Sequence, residues 1–329
     1  MIYLESRDTR SDFNLALEQY VFDRLPQDES YFMLWRNSPS VIVGKYQNTL
    51  EEVDTDFVRK EDIRVTRRLS GGGAVYHDLG NINYTFIVPG SICEGMDLAL
   101  FCQPLIQTLG HIGIQAQLSG RNDLTIGGKK FSGTAQYCKD GRIMHHGTIL
   151  YHSDLTVLGR ALRPAPVKIA SKGIQSVRSR VTNIWDCLEH PVPIEEFWEL
   201  LRRYMAWDRG ATEGRLTRAD LDGVELLRRE RYSTWEWNWG RSPKCTVCKE
   251  RRVEGCGTIQ IFLEVEHGRI RDCQFFGDFF GEGASPELLA ALRGCQLEHG
   301  ALTQALERVD VRHCFYCLPK QELVTLLMQ

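Results

Sequence analysis

The stretch that decides the fold is residues 67–84, which read RRLSGGGAVYHDLGNINY. Strand-like residues stand before its three glycines, at Arg64–Arg68, and after them, at Ala74–His77 and Asn83–Val88. Glycine lets the backbone come close to a ligand, and the two arginines add local positive charge. The pattern predicts strands around a glycine turn that suits a carboxylate or a phosphate, although a plain hairpin loop has the same composition.

Strands and helices alternate along the rest of the N-terminal part of the chain. Ile2–Leu4 is typical of a strand, Ser11 of the N-cap of the helix that follows, and Tyr31–Trp35 of a buried strand. Residues 122–154 predict an antiparallel group in which Gly127-Gly128 forms a hairpin turn.

The last 85 or so residues show a separate pattern of strands and helices. Thr258–Val265 alternates apolar and polar residues, Ile270–Phe275 returns, and Ser285-Pro286 opens a helix with an N-cap and a proline at the first position. We predict an α+β protein with a domain boundary near residue 244, which separates a large domain at 1–244 from a small α+β domain at 245–329.

Composition excludes several functional classes. The chain contains 43 Asp and Glu and 40 Lys and Arg, which gives a formal charge of −3. A balance this close to neutral gives no general attraction to nucleic acid or to anionic membranes. No apolar run approaches the ~18 residues of a membrane span. The N-terminus shows no signal peptide, and the 11 cysteines then indicate cytosolic free thiols. We expect a cytoplasmic protein without nucleic-acid or membrane partners.

Two further blocks contain chemically useful side chains. Residues 120–136 read GRNDLTIGGKKFSGTAQ, where Asp123 could hold Mg²⁺ near phosphates and Lys130 could reach both a phosphate and a carbonyl oxygen. A solvated hairpin lysine is the alternative. Residues 145–150 read HHGTIL. Adjacent histidines on a strand point to opposite faces, so we expect one to face the core or the site and the other to face water.

These blocks, in this order, resemble the bacterial ATP-dependent lipoate–protein ligases that have a C-terminal accessory domain. The resemblance covers the whole chain and continues through residues 172–183 and Trp235–Asn238. It implies a catalytic domain similar to biotin ligases and class II aminoacyl-tRNA synthetases, with mixed, largely antiparallel sheets flanked by helices. It also implies two half-reactions: ATP and lipoate form lipoyl-adenylate and pyrophosphate, and a lysine of a lipoyl domain then displaces AMP.

The resemblance also implies the site residues. Lys130 matches the essential lysine that bridges the acyl carbonyl and the adenylate phosphate, with Lys129 as a neighbouring alternative. The ATP and adenylate side would comprise Arg68, Gly73, Ala74, Val75, Tyr76, Asn81, Asp123, Lys130 and Ala135, with Asp123 on Mg²⁺. The lipoate side would comprise Trp35, Arg68, Ser70, Gly73, His77, Lys130 and His146.

Acceptors implied by the resemblance are 2-oxoacid dehydrogenase acyltransferase subunits and the glycine cleavage H protein. The segment 172–183 would lie near the adenylate and rearrange, and the accessory domain would swing between the two steps. An apolar pocket separates lipoate from octanoate by only a little per methylene, so that preference stays open.

Three rival functions share the fold. A lipoyl or octanoyl transferase would carry the acyl group on a cysteine, for which Cys138 is the nearest candidate. A lipoate-sensing protein would keep the pocket without turnover, and a biotin ligase would take another acid. Cys245/Cys248 and Cys314/Cys317 have zinc-knuckle spacing, but we expect thiols there rather than a structural zinc.

Overall fold

The computed structural model describes residues 1–90, 98–120, 122–162, 180–240 and 247–328. Its strands are β1 Ile2–Glu5, β2 Tyr31–Trp35, β3 Ser40–Val43, β4 Arg64–Arg67, β5 Val75–His77, β6 Asn81–Pro89, β7 Ala116–Ser119, β8 Asp123–Ile126, β9 Lys129–Lys139, β10 Arg142–Leu150, β11 Thr212–Glu213, β12 Val247–Val253, β13 Gly257–Glu266 and β14 Arg269–Gly277. Its helices are α1 Ser11–Arg24, α2 Thr49–Glu52, α3 Thr55–Lys60, α4 Leu98–His111, α5 Leu155–Ala161, α6 Ile194–Met205, α7 Arg218–Leu227, α8 Trp235–Asn238, α9 Pro286–Leu292, α10 His299–Ala305, α11 Val311–Cys314 and α12 Lys320–Met328. No helix in these ranges is long and apolar enough to cross a membrane.

A mixed sheet forms the centre of the N-terminal part. Its strand order is β11-β1-β2-β6-β10-β9-β8-β7. The pairs from β2 to β7 are antiparallel, whereas β1 runs parallel to both β2 and β11. This confirms the mixed, largely antiparallel architecture expected from the sequence.

Helices cover both faces of this sheet. Alternation along β2 sends Met33 and Trp35 into the core that contains α1, and Phe32 and Leu34 into the core that contains α4 and α6. The expectation that one of the paired histidines faces water is wrong. His145 is fully buried and stacks on Phe101 of α4 with ring centroids 5.0 Å apart, because that helix layer covers its face.

The glycine stretch does not close a hairpin. β3 lies between β4 and β5, parallel to the first and antiparallel to the second. The loop at 70–73 therefore crosses the end of β3, and a Cβ added to Gly44 would lie 2.0 Å from the carbonyl oxygen of Gly72. Gly72 itself has φ of +87°, a conformation that favours glycine.

Side-chain caps mark the start of several helices. Ser285 caps α9 with Pro286 at its first position, as predicted, and Thr217 forms a capping box with Asp220 at the start of α7. The predicted N-cap at Ser11 is wrong, because Arg10 takes that position. The Ser11 hydroxyl lies instead 2.8 Å from Thr66 Oγ1 of β4, so a tertiary partner replaces the local one.

Buried Arg67 joins distant segments of the N-terminal part. Its Nη1 donates to the carbonyl oxygens of Gly44 and Gln47 at 2.8 and 2.7 Å. Its Nε donates to the carbonyl oxygen of Trp237 at 2.9 Å, and its backbone N–H donates to Asn238 Oδ1 at 2.8 Å. The Trp235–Asn238 segment therefore fixes the strand that leads into the glycine loop.

The C-terminal unit packs helices α9–α12 on the antiparallel sheet β12-β13-β14. It touches the N-terminal part through Tyr46. The ring of Tyr46 stacks on Phe279 with centroids 4.8 Å apart and belongs to the C-terminal core. Backbone bonds flank this contact: Gly277 N–H donates to Tyr46 O at 2.9 Å, and Gly72 N–H donates to Phe279 O at 3.3 Å. The C-terminal unit thus rests directly on the glycine loop.

Candidate functional site

A cavity of ≈ 110 Å³ lies between α1, the glycine loop and the face of the central sheet formed by β6, β10 and β9. Most of the predicted site residues line it, namely Trp35, Arg68, Gly73, Ala74, Val75, His77, Lys130, Ala135 and His146. The side chain of Tyr76 points to the opposite side and packs in the core around α3, so only its backbone can face a ligand. Ser70, Asn81 and Asp123 stand behind lining residues and contact them.

Lys130 lies at the β9 end of the cavity. Its ammonium is 2.7 Å from Asp123 Oδ1, and both side chains are about one-third exposed. A Cβ added to Gly133 would lie 2.7 Å from the Nζ of Lys130, so the absent side chain leaves room for the ammonium. Lys129 lines a separate groove of ≈ 960 Å³ on the other side of the hairpin. The two neighbouring lysines therefore lie on different sides of the hairpin, and Lys130 is the one at the cavity.

Arg68 organises the glycine loop. Its Nη2 donates to the carbonyl oxygens of Gly71 and Gly73 at 2.6 and 2.9 Å, and its Nη1 donates to Ile42 O at 3.1 Å. Burial lowers the pKa of Arg68 to about 10, and the nearby carboxyl group of Glu18 opposes that fall. The group stays charged at neutral pH. These bonds leave one Nη1 hydrogen for a ligand.

A chain of buried hydrogen bonds runs behind the cavity. Arg68 Nε donates to Ser70 Oγ at 3.0 Å, and Ser70 Oγ lies 2.6 Å from His146 Nε2. His146 Nδ1 is 2.8 Å from Glu18 Oε1, which also accepts a bond from Thr85 at 2.7 Å. Such a network fixes the orientation of the two cavity-lining groups, Arg68 and His146.

Sequence reasoning missed Glu18. It stands on the buried face of α1 with Leu15, Val21 and Phe22, at helical spacing from each of them. A carboxyl group in the middle of an apolar helix face is a signal for a partnered buried group, and this periodicity could have identified it.

The predicted segment at 172–183 is described only from Arg180 onward, and residues 172–179 lie outside the described ranges. Thr182 N–H donates to the carbonyl oxygen of Lys130 at 2.8 Å, and Val181 forms a parallel bridge with Lys130. The end of this segment therefore runs beside the lysine.

Cys138 does not suit a thioester mechanism. Burial, with the nearby carboxylate of Glu282, raises the pKa of its thiol to about 12, which keeps it protonated at neutral pH. Lys130, Gly133, Thr134 and Ala135 of β9 line the cavity, whereas Cys138 of the same strand is not among its lining residues. The cavity side of that strand therefore offers a lysine rather than a thiolate.

The cysteine pairs do not converge among the described residues. The Sγ of Cys317 lies 3.8 Å from a Cβ added to Gly255 in the β12–β13 turn. Cys248 pairs with Phe262, five residues along β12 from that turn, about 16 Å away at the usual rise. Cys245 lies outside the described ranges, and within them no group of three or more His, Cys, Asp or Glu could hold a metal.

Comparison with known families agrees with this geometry. Residues 11–206 match the family model of the lipoyl protein ligase A/B catalytic domain, and residues 242–327 match that of the bacterial lipoate protein ligase C-terminus. The chain belongs to the lipoate–protein ligase family.

Relatives of this ligase match along its full length. Lipoate–protein ligase 1 of Staphylococcus aureus is 41% identical over 319 residues, 97% of each chain. Lipoate-protein ligase LplJ of Bacillus subtilis is 40% identical over 331 residues, which cover 99% of this chain and 100% of the relative.

Solved structures share the fold. LipL1 of P. falciparum, in complex with lipoate, superposes with a TM-score of 0.79 at 24% identity, covering 100% of this ligase and 99% of that chain. A bipartite ligase of Thermoplasma acidophilum, described with its E2 lipoyl domain, superposes with a TM-score of 0.63 at 30% identity, covering 75% of this chain and 98% of that one. Lipoate-protein ligase A bound with ATP superposes with a TM-score of 0.62 at 28% identity, covering 73% of this chain and 97% of that one.

Proposed function

We propose that this ligase uses ATP to activate lipoate as lipoyl-adenylate in the cavity beside Lys130, and then transfers the lipoyl group to a lysine of a lipoyl domain. The observation on which this depends is the Lys130 ammonium, which Asp123 holds at the end of a cavity that has an apolar wall and is also lined by Arg68. Relatives with bound lipoate and with bound ATP support the two substrates.

Lys130 would act by stabilising charge. During adenylate formation, negative charge gathers where the acyl oxygen meets the α-phosphate, and during transfer it gathers on the acyl carbonyl. An ammonium that reaches both positions lowers both barriers, and removing one such donor typically costs 10²–10³-fold in rate. Asp123 would position this ammonium through the 2.7 Å contact.

One side of the cavity would bind the acyl chain, and the other would bind the adenylate. Leu15, Trp35 and Ile42 provide the apolar wall for the acyl chain. Arg68, the backbone of Gly73–Tyr76 and Ala135 would face the adenylate, with Asn81 behind them. Ser70 and His146, joined to Glu18, would hold the wall of the acyl pocket in place.

The donor set fits Mg²⁺ in its usual protein setting. Magnesium is commonly held by one or two carboxylates together with substrate phosphates rather than by a cage of protein groups. Asp123 offers one partly exposed carboxyl group beside the proposed phosphate position. When bound there, the ion would neutralise phosphate charge, while Lys130 and Arg68 would orient the reacting groups.

The acceptors we propose are lipoyl domains of 2-oxoacid dehydrogenase complexes and the glycine cleavage H protein, acting in the cytoplasm. The family name and the archaeal ligase described with an E2 lipoyl domain support this class of partner. We also propose 1–244 and 245–329 as the catalytic and accessory domains, which the separate C-terminal core supports.

The test is pyrophosphate release from ATP, Mg²⁺ and lipoate by the full chain. We expect Lys130→Ala to lose about 10²-fold or more in rate, and Lys129→Ala, on the opposite groove, to keep wild-type activity. Normal adenylate formation by Lys130→Ala would overturn the assignment.

A further inference from the structure

Two buried donor groups at the β5–β6 side of the cavity have no partner among the described residues. They are the Nε2 atom of His77 and the Nδ2 atom of Asn83. Their side chains are only 3% and 2% exposed, and both line the cavity. An unpaired buried polar atom is costly, so its retention in a cavity wall indicates a ligand atom that pairs with it.

Neighbouring amides determine which nitrogen of His77 has the proton. Asn14 Nδ2 lies 2.8 Å from the carbonyl oxygen of Asp8 and 3.1 Å from that of Arg36, which identifies it as a donor. It also donates to Asn37 Oδ1 at 2.9 Å, so the other end of the Asn37 amide is a donor too.

The Nδ2 atom of Asn37 lies 3.0 Å from His77 Nδ1, which must therefore accept. The proton of a neutral ring then sits on Nε2, the ring atom that has no partner among the described residues. Burial, with Arg68 and His146 nearby, lowers the pKa of His77 to about 3 and keeps the ring neutral. His77 thus presents an N–H donor rather than a lone pair.

The sheet register shows which part of a ligand these donors meet. Trp35, Asn83 and Thr148 lie side by side on β2, β6 and β10, and Thr148 Oγ1 accepts the N–H of Gly133 at 3.1 Å. At ~4.8 Å per strand, Asn83 is about 10 Å across the sheet from Gly133, over which the Lys130 ammonium lies. The ring of His77 meets Trp35 at the far end, with centroids 6.2 Å apart.

We propose that His77 and Asn83 recognise the sulfur atoms of the dithiolane ring, so that the pocket selects lipoate over octanoate. The inference rests on the proposed function, which places the acyl carbonyl at Lys130 and the far end of the chain at Trp35. Ring sulfurs accept weak hydrogen bonds and pack well against aromatic rings, whereas the methyl end of octanoate leaves both donors unpaired. Asn37 is then a positioning residue that fixes the His77 proton.

The first test compares kcat/KM for lipoate and octanoate in adenylate formation. A net hydrogen bond of about 1 kcal/mol corresponds to roughly fivefold. We expect His77→Phe and Asn83→Leu each to lower the value for lipoate by about 3- to 10-fold and to leave that for octanoate unchanged or raised. His145→Phe is the matched control, since that buried histidine faces the α4 layer; it should not alter the ratio.

The second test needs no variant to be active. In wild-type protein labelled with ¹⁵N-histidine, the His77 signal, assigned by its loss in His77→Phe, should report the Nε2–H tautomer. Its Nε2 shift should move with lipoate and not with octanoate.

Equal losses for both acids, or equal Nε2 shifts, would show that the donors bind the carbonyl or phosphate and would overturn the inference while leaving the ligase function intact. Failure of the wild type to adenylate either acid would instead contradict the proposed function.

Discussion

Replacing Tyr46 with alanine should loosen the C-terminal unit from the glycine loop. The ring of Tyr46 is 7% exposed and belongs to the C-terminal core although it extends from the N-terminal part. It stacks on Phe279 at an interplanar angle of 14°, and its hydroxyl donates to the carbonyl oxygen of Gly281 at 3.3 Å.

The size of the effect follows from these contacts. Truncating a buried aromatic side chain to alanine costs about 3–5 kcal/mol. The backbone bonds of Tyr46 O and Gly72 N–H survive the substitution. We therefore expect the docked arrangement to lose about 3–5 kcal/mol, which is more than 100-fold in the docking equilibrium. Tyr46→Phe removes only the hydroxyl bond and should cost about 1 kcal/mol or less.

Hydrogen exchange measures this directly. Peptides that contain Gly72 and Gly277 should exchange much faster in Tyr46→Ala than in wild type, because both amides donate across the contact. Peptides from β13, inside the C-terminal sheet, should change little. Exchange at Gly72 and Gly277 that matches wild type in Tyr46→Ala would refute the reasoning, and so would equal acceleration in Tyr46→Phe.

Three other predictions concern single side chains. Glu18→Gln removes a carboxyl group that bonds His146 and Thr85, so urea unfolding should show a loss of about 1.5–3 kcal/mol, and lipoate KM should rise; an unchanged unfolding midpoint would contradict the network. Cys138→Ala should keep ligation near wild type, because the raised pKa of that thiol makes it a poor nucleophile; loss of turnover with normal folding would revive a thioester mechanism. Burial lowers the pKa of His145 from 6.5 to about 3, so its unfolded form binds the proton first and stability falls as pH drops below 6.5. Between pH 7 and 5 the free energy of unfolding falls by about 2 kcal/mol through this group. Urea titrations at the two pH values should therefore show a fall that is about 2 kcal/mol smaller in His145→Phe than in wild type.

Local sequence patterns predicted those strands, turns and helix starts that depend only on neighbouring residues. A short apolar run identified β2, and alternation identified β13. The glycine pair identified the turn between β8 and β9, and Ser285-Pro286 identified the start of α9. The cavity also gathers residues from all three sequence blocks, because β5, β9 and β10 each contribute a wall.

Contacts between distant segments could not be predicted in the same way. Nothing near residues 64–77 indicates that β3 inserts between β4 and β5, since that pairing is set by residues 40–43. The burial of His145 depends on a helix layer formed elsewhere in the chain. The contact of Tyr46 with the C-terminal core joins residues more than two hundred positions apart.

The Arg67 cluster has a consequence for how the protein is made. Its guanidinium needs carbonyl groups of Trp237 and Asn238, and Asn238 lies 171 positions later in the chain. At about 5–20 residues per second, a ribosome takes on the order of ten to thirty seconds to supply them. During synthesis the nascent glycine loop therefore stays incomplete while most of its own domain has already emerged. In truncated products that end before residue 237, the Arg67 guanidinium lacks two of its backbone acceptors beside the glycine loop.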